Sequence, residues 1–183
     1  MGIVLASGSE RRRKLLGRIA PKFEVKAADV SERLFASESF SSAAMRLAKA
    51  KARKVAEKRK DATVIGADTI AYMGKRVYRK TENETAARKI LLELSGRAHA
   101  VATGVAVLFP DGRCVGYSVK ASVKMKELDA KTIDGYLKTG EWKGRAGCYD
   151  YSGRGRRLVA GVRGEKETVV GLPLRKLRKL LVG

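Results

Sequence analysis

Asp68 directly follows the apolar run of residues 63–67, which has the length and composition of a buried strand. The carboxyl ends of strands are where α/β sheets bind their ligands. An aspartate at such a place can hold a divalent cation or orient a water molecule for attack. It can equally well cap a turn by bonding to its own backbone. From the residues alone, both interpretations stay open.

A second set of polar residues stands near the N-terminus, between a short apolar run and a helical pattern. The run covers residues 3–6, and it is followed by the Ser-Gly-Ser segment 7–9 and by Arg11 and Arg12. A helix N-terminus presents unpaired N–H groups and a partial positive charge, and arginine forks onto phosphate oxygens, so this junction can bind phosphate. The alternative is a capped surface helix with a solvated basic face. The junction is not a Walker loop, because Gly-x-x-x-x-Gly-Lys-[Ser/Thr] does not occur in the chain.

The remaining polar candidates carry less information. Lys51 and Lys80 are separate cations and Glu32 is a separate acid, and each alone is typical of a solvated side chain. Glycines and arginines are dense in residues 140–155, which indicates a backbone that approaches a ligand or makes tight turns. For His99, the only histidine, we expect a structural role.

Strand and helix patterns are mixed along the chain. We predict strands over residues 3–6, 63–67, 98–109 and 113–126, and helices over 10–19, 39–60, 81–94, 129–140 and after residue 173. A further short strand with a turn at Gly74 is predicted after the second of these strands, and Thr81 with Glu84 fits a capping box. The pattern predicts a single α/β domain over residues 1–183, with a mixed sheet.

The charge of the chain is strongly positive. Lysine and arginine number 40 against 19 aspartates and glutamates, which gives a net charge of +21 for 183 residues. This balance argues against a cationic partner and favours polyanions: nucleic acid, nucleotides or an acidic membrane surface. No apolar run approaches the length of a membrane span, so no membrane partner is expected. Cys114 and Cys148 lack metal-type spacing and are expected to be free thiols in a reducing cytoplasm.

Taken together, several segments form a recognisable pattern. They are Leu5-Ala6-Ser7-Gly8-Ser9-Glu10-Arg11-Arg12, Ile65-Gly66-Ala67-Asp68-Thr69, Leu94-Ser95-Gly96-Arg97-Ala98-His99, Thr103-Gly104-Val105, Gly140-Glu141 with Ala146-Gly147, and Val170-Gly171-Leu172-Pro173-Leu174. Their order and spacing resemble the Maf family along nearly the whole chain, which makes the match far more specific than any one segment.

The resemblance implies an activity, a fold and a location. Members of the Maf family are cytoplasmic nucleoside triphosphate pyrophosphatases, which cleave a nucleotide between its α- and β-phosphates with a divalent metal cation (Mg or Mn). Their α/β fold has a mixed sheet, flanking helices and a central cleft, and it is related to that of inosine-triphosphate pyrophosphatases. Dimers are common among them. The resemblance therefore implies a nucleoside triphosphate substrate, a cytoplasmic location and a homodimer.

The resemblance also assigns roles to residues. Asp68 takes the catalytic acid/base position. The positions that the resemblance places around the triphosphate are Ser7, Arg11, Arg12, Lys51 and Lys80. Glu32 falls at an acidic position that contacts a metal or a water, so the implied metal ligands are Glu32 and Asp68.

Three positions are expected to track the base. The branch of the family that acts on dTTP and UTP has Arg, Thr and Gln there, and this chain has Arg11, Thr69 and Ser152. The branch that acts on 7-methyl-GTP has Trp and Gln at the first two positions, and this chain has neither. We therefore expect dTTP and UTP as substrates. Ser152 should weaken that preference, because serine cannot offer the paired donor and acceptor of an amide.

Two other functions stay open from the sequence. The +21 charge would also suit a non-catalytic nucleic-acid-binding protein, although the basic residues are spread along the whole chain and no helix-turn-helix, zinc or aromatic ribonucleoprotein signature occurs. Nucleic acid is therefore not expected as the main ligand. The third function is a pyrophosphatase that removes modified nucleotides.

Overall fold

We describe residues 2–182 of a computed structural model of the chain. The strands are β1 (Gly2–Ala6), β2 (Glu24–Val25), β3 (Ala62–Met73), β4 (Arg76–Tyr78), β5 (Ala98–Leu108), β6 (Cys114–Met125) and β7 (Val159–Arg163). The α-helices are α1 (Glu10–Leu16), α2 (Phe40–Ala56), α3 (Glu84–Leu94), α4 (Ala130–Leu137), α5 (Lys166–Val170) and α6 (Leu174–Val182). Two short 3₁₀ segments, Ala146–Cys148 and Arg154–Leu158, precede β7.

The strands form one mixed sheet. Its order is β2-β1-β3-β5-β6-β7, and β4 pairs with β3. Strand β1 is parallel to both β2 and β3, whereas β4 is antiparallel to β3 and β7 is antiparallel to β6. The predicted α/β class, with a mixed sheet and flanking helices, is confirmed.

Strand β3 is longer than the sequence predicts. Two short strands are expected there, but β3 runs without a break from Ala62 to Met73. It pairs with β1 as far as Gly66, and with β4 from Ala71 onward. Asp68 and Thr69, the polar pair that follows the apolar run, therefore lie inside β3 and just beyond the end of β1. The strand continues past them because β4 pairs with its second half.

The predicted capping box of α3 is wrong in its capping residue. The helix begins at Glu84, and its N-cap is Asn83, whose Oδ1 accepts a hydrogen bond from the N–H of Ala86 at 2.9 Å. Thr81 instead accepts a hydrogen bond from the N–H of Asn83 at 3.0 Å. Threonine and asparagine are both favourable N-cap residues, and Asn83 is the one that directly precedes the first helical residue.

The described residues form two compact units. The first contains residues 2–69, 102–119 and 171–182, and the second contains residues 70–101 and 120–170. Each unit has its own cluster of buried apolar side chains. The single domain over residues 1–183 stays a prediction.

In the first unit, helix α2 lies directly on the backbone of the sheet. A Cβ atom on Gly66 would stand 2.1 Å from the carbonyl oxygen of Ala48 and 2.8 Å from the backbone nitrogen of Ala52. One on Gly104 would stand 2.2 Å from the carbonyl carbon of Ala44. The atoms that meet these glycines belong to the helix backbone, so the missing side chain of glycine is what lets the two backbones approach so closely.

In the second unit, the core includes the one histidine of the chain. His99 is buried, and its Nε2 lies 3.0 Å from the hydroxyl oxygen of Tyr149. Burial lowers the pKa of His99 to about 4, so its ring is neutral at pH 7. This placement agrees with the structural role that the sequence indicates.

The two cysteines are free thiols, as the sequence predicts. Burial raises the pKa of the Cys148 thiol to about 12. Separately, none of the helices within residues 2–182 is both long enough and apolar enough to cross a membrane.

The substitution Gly66→Ala tests the close approach of α2 to β3. The added methyl group would collide with helix backbone rather than with a flexible side chain, so we expect a loss of unfolding free energy of about 3 kcal/mol, the upper part of the range for overpacking. Urea unfolding measures it. The control is Gly161→Ala, where a Cβ would meet nothing within 4 Å. Equal losses in the two variants would contradict the close packing.

Candidate active site

The junction between β1 and α1 places two serines at the start of a helix. Ser7 is buried and Gly8 is exposed, so the backbone at Gly8 is open to an approaching ligand. Ser9 is the N-cap residue of α1, but its side chain makes no capping hydrogen bond. The helix N-terminus therefore keeps N–H groups that its own cap side chain does not satisfy.

A buried ion-pair cluster lies where β3 passes the end of β1. Lys51 from α2 places its Nζ 2.5 Å from Oδ1 of Asp68 and 2.6 Å from Oε1 of Glu32. Lys51 and Asp68 are almost fully buried, whereas the side chain of Glu32 is 45% exposed. The structure thus brings together three of the residues that the sequence singled out.

The packing of α2 explains this position of Lys51. The lysine lies next to Ala52 and one turn from Ala48, the two residues whose backbone atoms meet Gly66. Asp68 is two residues along β3 from Gly66, on the same face of the strand. The close approach of helix and strand therefore directs the ammonium group onto the carboxylate.

The cluster carries an excess of negative charge. Two carboxylates share one ammonium group, so acidic side chains outnumber the basic one in this cluster. Hard carboxylate oxygens are the ligands that Mg²⁺ and Mn²⁺ prefer, and Mg²⁺ is commonly held by one or two carboxylates together with substrate phosphates. Asp68 and Glu32 fit that pattern. No group of three or more metal-ligating side chains occurs within the described chain, so substrate and water would have to complete the coordination.

Arg12 forms a second buried cationic site. Its Nη1 donates to Oγ of Ser7 at 3.0 Å, its Nη2 donates to Oγ1 of Thr69 at 3.0 Å, and its Nε donates to the carbonyl oxygen of Gly171 at 2.8 Å. Thr69 in turn lies 3.0 Å from Oγ1 of Thr103. One guanidinium group thereby joins the β1–α1 junction, β3 and the segment before α6.

Burial lowers the pKa of Arg12, and the carboxylates of Asp68 and Glu32 oppose this shift. Arginine titrates so far above neutrality that the guanidinium stays charged. Its charge is therefore a permanent feature of the site.

The bond from Arg12 also orients the hydroxyl group of Ser7. Oγ of Ser7 accepts from the guanidinium, so the proton of the hydroxyl is left to donate elsewhere. A phosphate oxygen is a suitable acceptor, because a hydrogen bond to a charged acceptor is stronger than one to a neutral one.

The other predicted residues are distributed over both units. Arg11 is half-buried in α1, and Thr69 is half-buried in β3. Lys80 is an exposed residue of the second unit, just after β4. Ser152 also belongs to the second unit, where its hydroxyl donates to Oδ1 of Asp150 at 2.5 Å.

Three participants were not assigned roles from the sequence. Thr103 and Gly171 fall inside segments that match the family pattern, and this was the only signal for them. Gly171 has a φ of +117°, and a Cβ on it would stand 3.1 Å from Oγ1 of Thr69, so both conformation and space require glycine. Asp150 accepts from both the N–H and the hydroxyl of Ser152, and nothing in the sequence pattern indicates that pairing.

Known proteins are similar to this chain over nearly its whole length. The sequence model of the family described as "Maf-like protein" matches residues 2–183. The chain belongs to the Maf family. A relative from Anaplasma phagocytophilum (strain HZ), named nucleoside triphosphate pyrophosphatase, is 42% identical over an alignment of 183 positions that covers 99% of this chain and 94% of the relative.

Further members of the Maf family carry a more specific name. A relative from Hyphomonas neptunium (strain ATCC 15444), named dTTP/UTP pyrophosphatase, is 41% identical over 182 residues, covering 99% of this chain and 94% of the relative. Among solved structures, a HAM1 protein from Coxiella burnetii is 14% identical with a TM-score of 0.49, covering 100% of this chain and 98% of the other.

The substitution Arg12→Lys tests whether the guanidinium joins the three segments. Lysine keeps the charge but cannot reach three separate oxygens, so we expect a loss of unfolding free energy of about 1.5–3 kcal/mol, as for lost hydrogen bonds from a charged donor. The matched control is Arg13→Lys, since the side chain of Arg13 is exposed and makes a surface ion pair with Glu10. That control should stay within about 0.5 kcal/mol of the native protein in urea unfolding. Equal stabilities for both variants would contradict the role of Arg12.

Proposed function

We propose that this member of the Maf family hydrolyses nucleoside triphosphates to the monophosphate and pyrophosphate. The observation that carries the proposal is the buried Lys51–Asp68–Glu32 cluster in the same unit as the Ser7 and Arg12 junction. A carboxylate beside a phosphate-binding helix terminus supplies what hydrolysis of a phosphoanhydride needs. The names of the relatives support the same reaction.

Asp68 takes a proton from the attacking water. The water oxygen forms a bond to the α-phosphorus, the bond from that phosphorus to the oxygen bridging to the β-phosphate breaks, and pyrophosphate leaves with the electron pair. Asp68 suits this role because it is only 4% exposed and its carboxylate is held by the Lys51 ammonium group, 2.5 Å from Oδ1, with Oδ2 left to accept the proton. Before the reaction, Lys51 holds the carboxylate in place.

The cationic and hydroxyl side chains stabilise the charge that develops on the leaving group. Lys51 and Arg11 of the first unit supply positive charge, and the free proton of Ser7 is donated to a phosphate oxygen. The role of Lys80 at the triphosphate stays a prediction. Arg12 acts on the phosphate through Ser7, because one of its N–H groups donates to Oγ of Ser7 and two others donate to Thr69 and Gly171.

A divalent cation, Mg²⁺ or Mn²⁺, would be held by Asp68 and Glu32 together with the phosphates of the substrate. When bound, it would acidify a water and neutralise phosphate charge. The side chains of this chain provide the two carboxylates and the neighbouring ammonium group that keeps them together.

We propose UTP and dTTP as preferred substrates, with a weak preference. Arg11 and Thr69 match the residues of the branch acting on these nucleotides, and relatives bear that name. Ser152 differs, and its proton is already committed to Asp150, so its hydroxyl oxygen can only accept from a base. The homodimer and the cytoplasmic location stay predictions.

Asp68→Asn should abolish hydrolysis while leaving the fold intact. The amide is nearly isosteric, but it neither takes a proton nor binds a cation well, so we expect turnover to fall by about 10²–10⁴-fold. Pyrophosphate release from UTP is the measurement, with circular dichroism as the check on folding. The control is the exposed Asp61, as Asp61→Asn, which should keep full activity.

The first product of the native protein tests the position of attack. Orthophosphate as that product would refute attack at the α-phosphorus.

Removal of divalent cations should stop the reaction. With excess chelator we expect no pyrophosphate release, because Asp68 and Glu32 would then lack the cation that neutralises the phosphates. Added Mg²⁺ or Mn²⁺ should restore turnover, and Glu32→Gln should raise the concentration of cation needed. Full activity in chelator would remove the metal from the mechanism.

Ser152→Gln should sharpen the preference for pyrimidines. An amide at this position offers a donor and an acceptor, and a site with such groups rejects bases that leave them unpaired. We expect a gain in discrimination of about 1–3 kcal/mol. The measurement is kcat/KM for dTTP, UTP, CTP, GTP and ATP with both proteins. Unchanged ratios would show that residue 152 does not contact the base.

A further inference from the structure

A cleft in the second unit involves none of the residues assigned to the nucleotide. Its volume is about 440 Å³, which lies in the range of small-molecule sites. Helix α4 forms one wall, and the 3₁₀ segment Arg154–Leu158 forms another. The lining includes Thr132, Gly135, Tyr136, Arg154, Arg157 and Leu158.

Neither the backbone conformation nor the packing of the protein explains why residue 135, in this cleft, is a glycine. Gly135 lies inside α4, where glycine is about 1 kcal/mol less favourable than alanine. Its φ is not positive, and a Cβ added to it would meet no protein atom within 4 Å. Elsewhere in this chain, at Gly66 and Gly104, an absent Cβ is explained by a helix backbone in contact. At Gly135 the space that the missing methyl group leaves is the cleft.

The polar lining of the cleft is cationic. Arg157 is exposed and has no hydrogen-bond or ion-pair partner among residues 2–182. The guanidinium of Arg154 makes a long ion pair, with its Nε 3.8 Å from Oε1 of Glu141, whose Oε2 accepts from the backbone N–H of Arg154 at 2.7 Å; the side chain of Arg154 is 69% exposed. Thr132 is exposed near the start of α4. Two guanidinium groups around a concave site suit an anion that can accept paired hydrogen bonds.

The remaining lining is apolar. The ring of Tyr136 and the side chain of Leu158 are both buried and form part of the wall. A ligand of this cleft therefore has a charged end for the arginines and a body that can lie against an aromatic ring and an aliphatic side chain. Tyr136 is fixed in place, because its hydroxyl oxygen accepts a hydrogen bond from the N–H of Asp150 at 2.9 Å.

We propose that this cleft is a second ligand site, which binds the phosphate group of a small phosphorylated compound. Arg154 and Arg157 bind the phosphate oxygens, the open backbone at Gly135 lets the ligand approach α4, and Tyr136 and Leu158 contact its uncharged part. The site is independent of the proposed hydrolysis, because no residue in it takes part in that reaction.

The test is a titration of the full ¹⁵N-labelled chain, followed by NMR, with two probes. Inorganic phosphate presents the charged group alone, and UMP adds an uncharged ribose and base. We expect saturable shifts of the amide signals of Thr132 and Gly135, with tighter binding of UMP. Tighter binding of phosphate alone would show that the apolar wall contributes nothing. It would overturn the proposed contact of Tyr136 and Leu158 with the uncharged part of the ligand.

Two double variants distinguish binding at a specific site from a general effect of positive charge. Arg154→Gln with Arg157→Gln should weaken binding at least tenfold, about 1.4 kcal/mol. Lys131→Gln with Lys138→Gln removes the same charge from exposed residues at the two ends of α4 and should leave the affinity unchanged. Pyrophosphate release from UTP should persist in both, which also reports folding. Equal weakening by the two pairs, or no saturable shift with either probe, would overturn the proposal.

Gly135→Ala gives an independent test. The methyl group favours the helix and stands in the cleft, so we expect a higher Tm together with weaker UMP binding. A higher Tm with unchanged binding would show that no ligand approaches α4 at this point.

Discussion

The ammonium group of Lys51 lies out of water between two carboxylates, 2.5 Å from Asp68 and 2.6 Å from Glu32. Taking an ammonium ion out of water costs several kcal/mol, so such a group persists only where opposite charges surround it. That arrangement requires α2 to lie against β3 without intervening side chains. Gly66 provides the space, because any Cβ there would overlap the helix backbone.

A second buried cation follows the same rule. Arg12 is stable in the interior because its Nε, Nη1 and Nη2 atoms each donate to a protein oxygen. The nearby carboxylates of Asp68 and Glu32 also favour its charged form. Its bonds fix the hydroxyls of Ser7 and Thr69 before any substrate arrives. Donors that are already oriented lower the cost of reorganisation when charge develops on phosphate.

The second unit handles charge differently. Its arginines at 154 and 157 are exposed and incompletely paired, which leaves them able to meet an anion from solution. The carboxylate of Asp150 is instead committed to Ser152 and restricts what that hydroxyl can offer. Under the two proposals made above, part of the +21 charge binds phosphates.

The sequence by itself determined the family, the α/β class with its mixed sheet, and most helices and strands, because periodicity and segment order are local in the chain. It also supplied Asp68, Lys51 and Glu32 as separate candidates. Only the tertiary structure decided that one ammonium joins them, that β3 continues through Asp68, and that Arg12 bonds to Thr69 and Gly171, which are 57 and 159 residues away. Such contacts are set by strand pairing and by how closely a helix can approach, and no pattern of neighbouring residues encodes either.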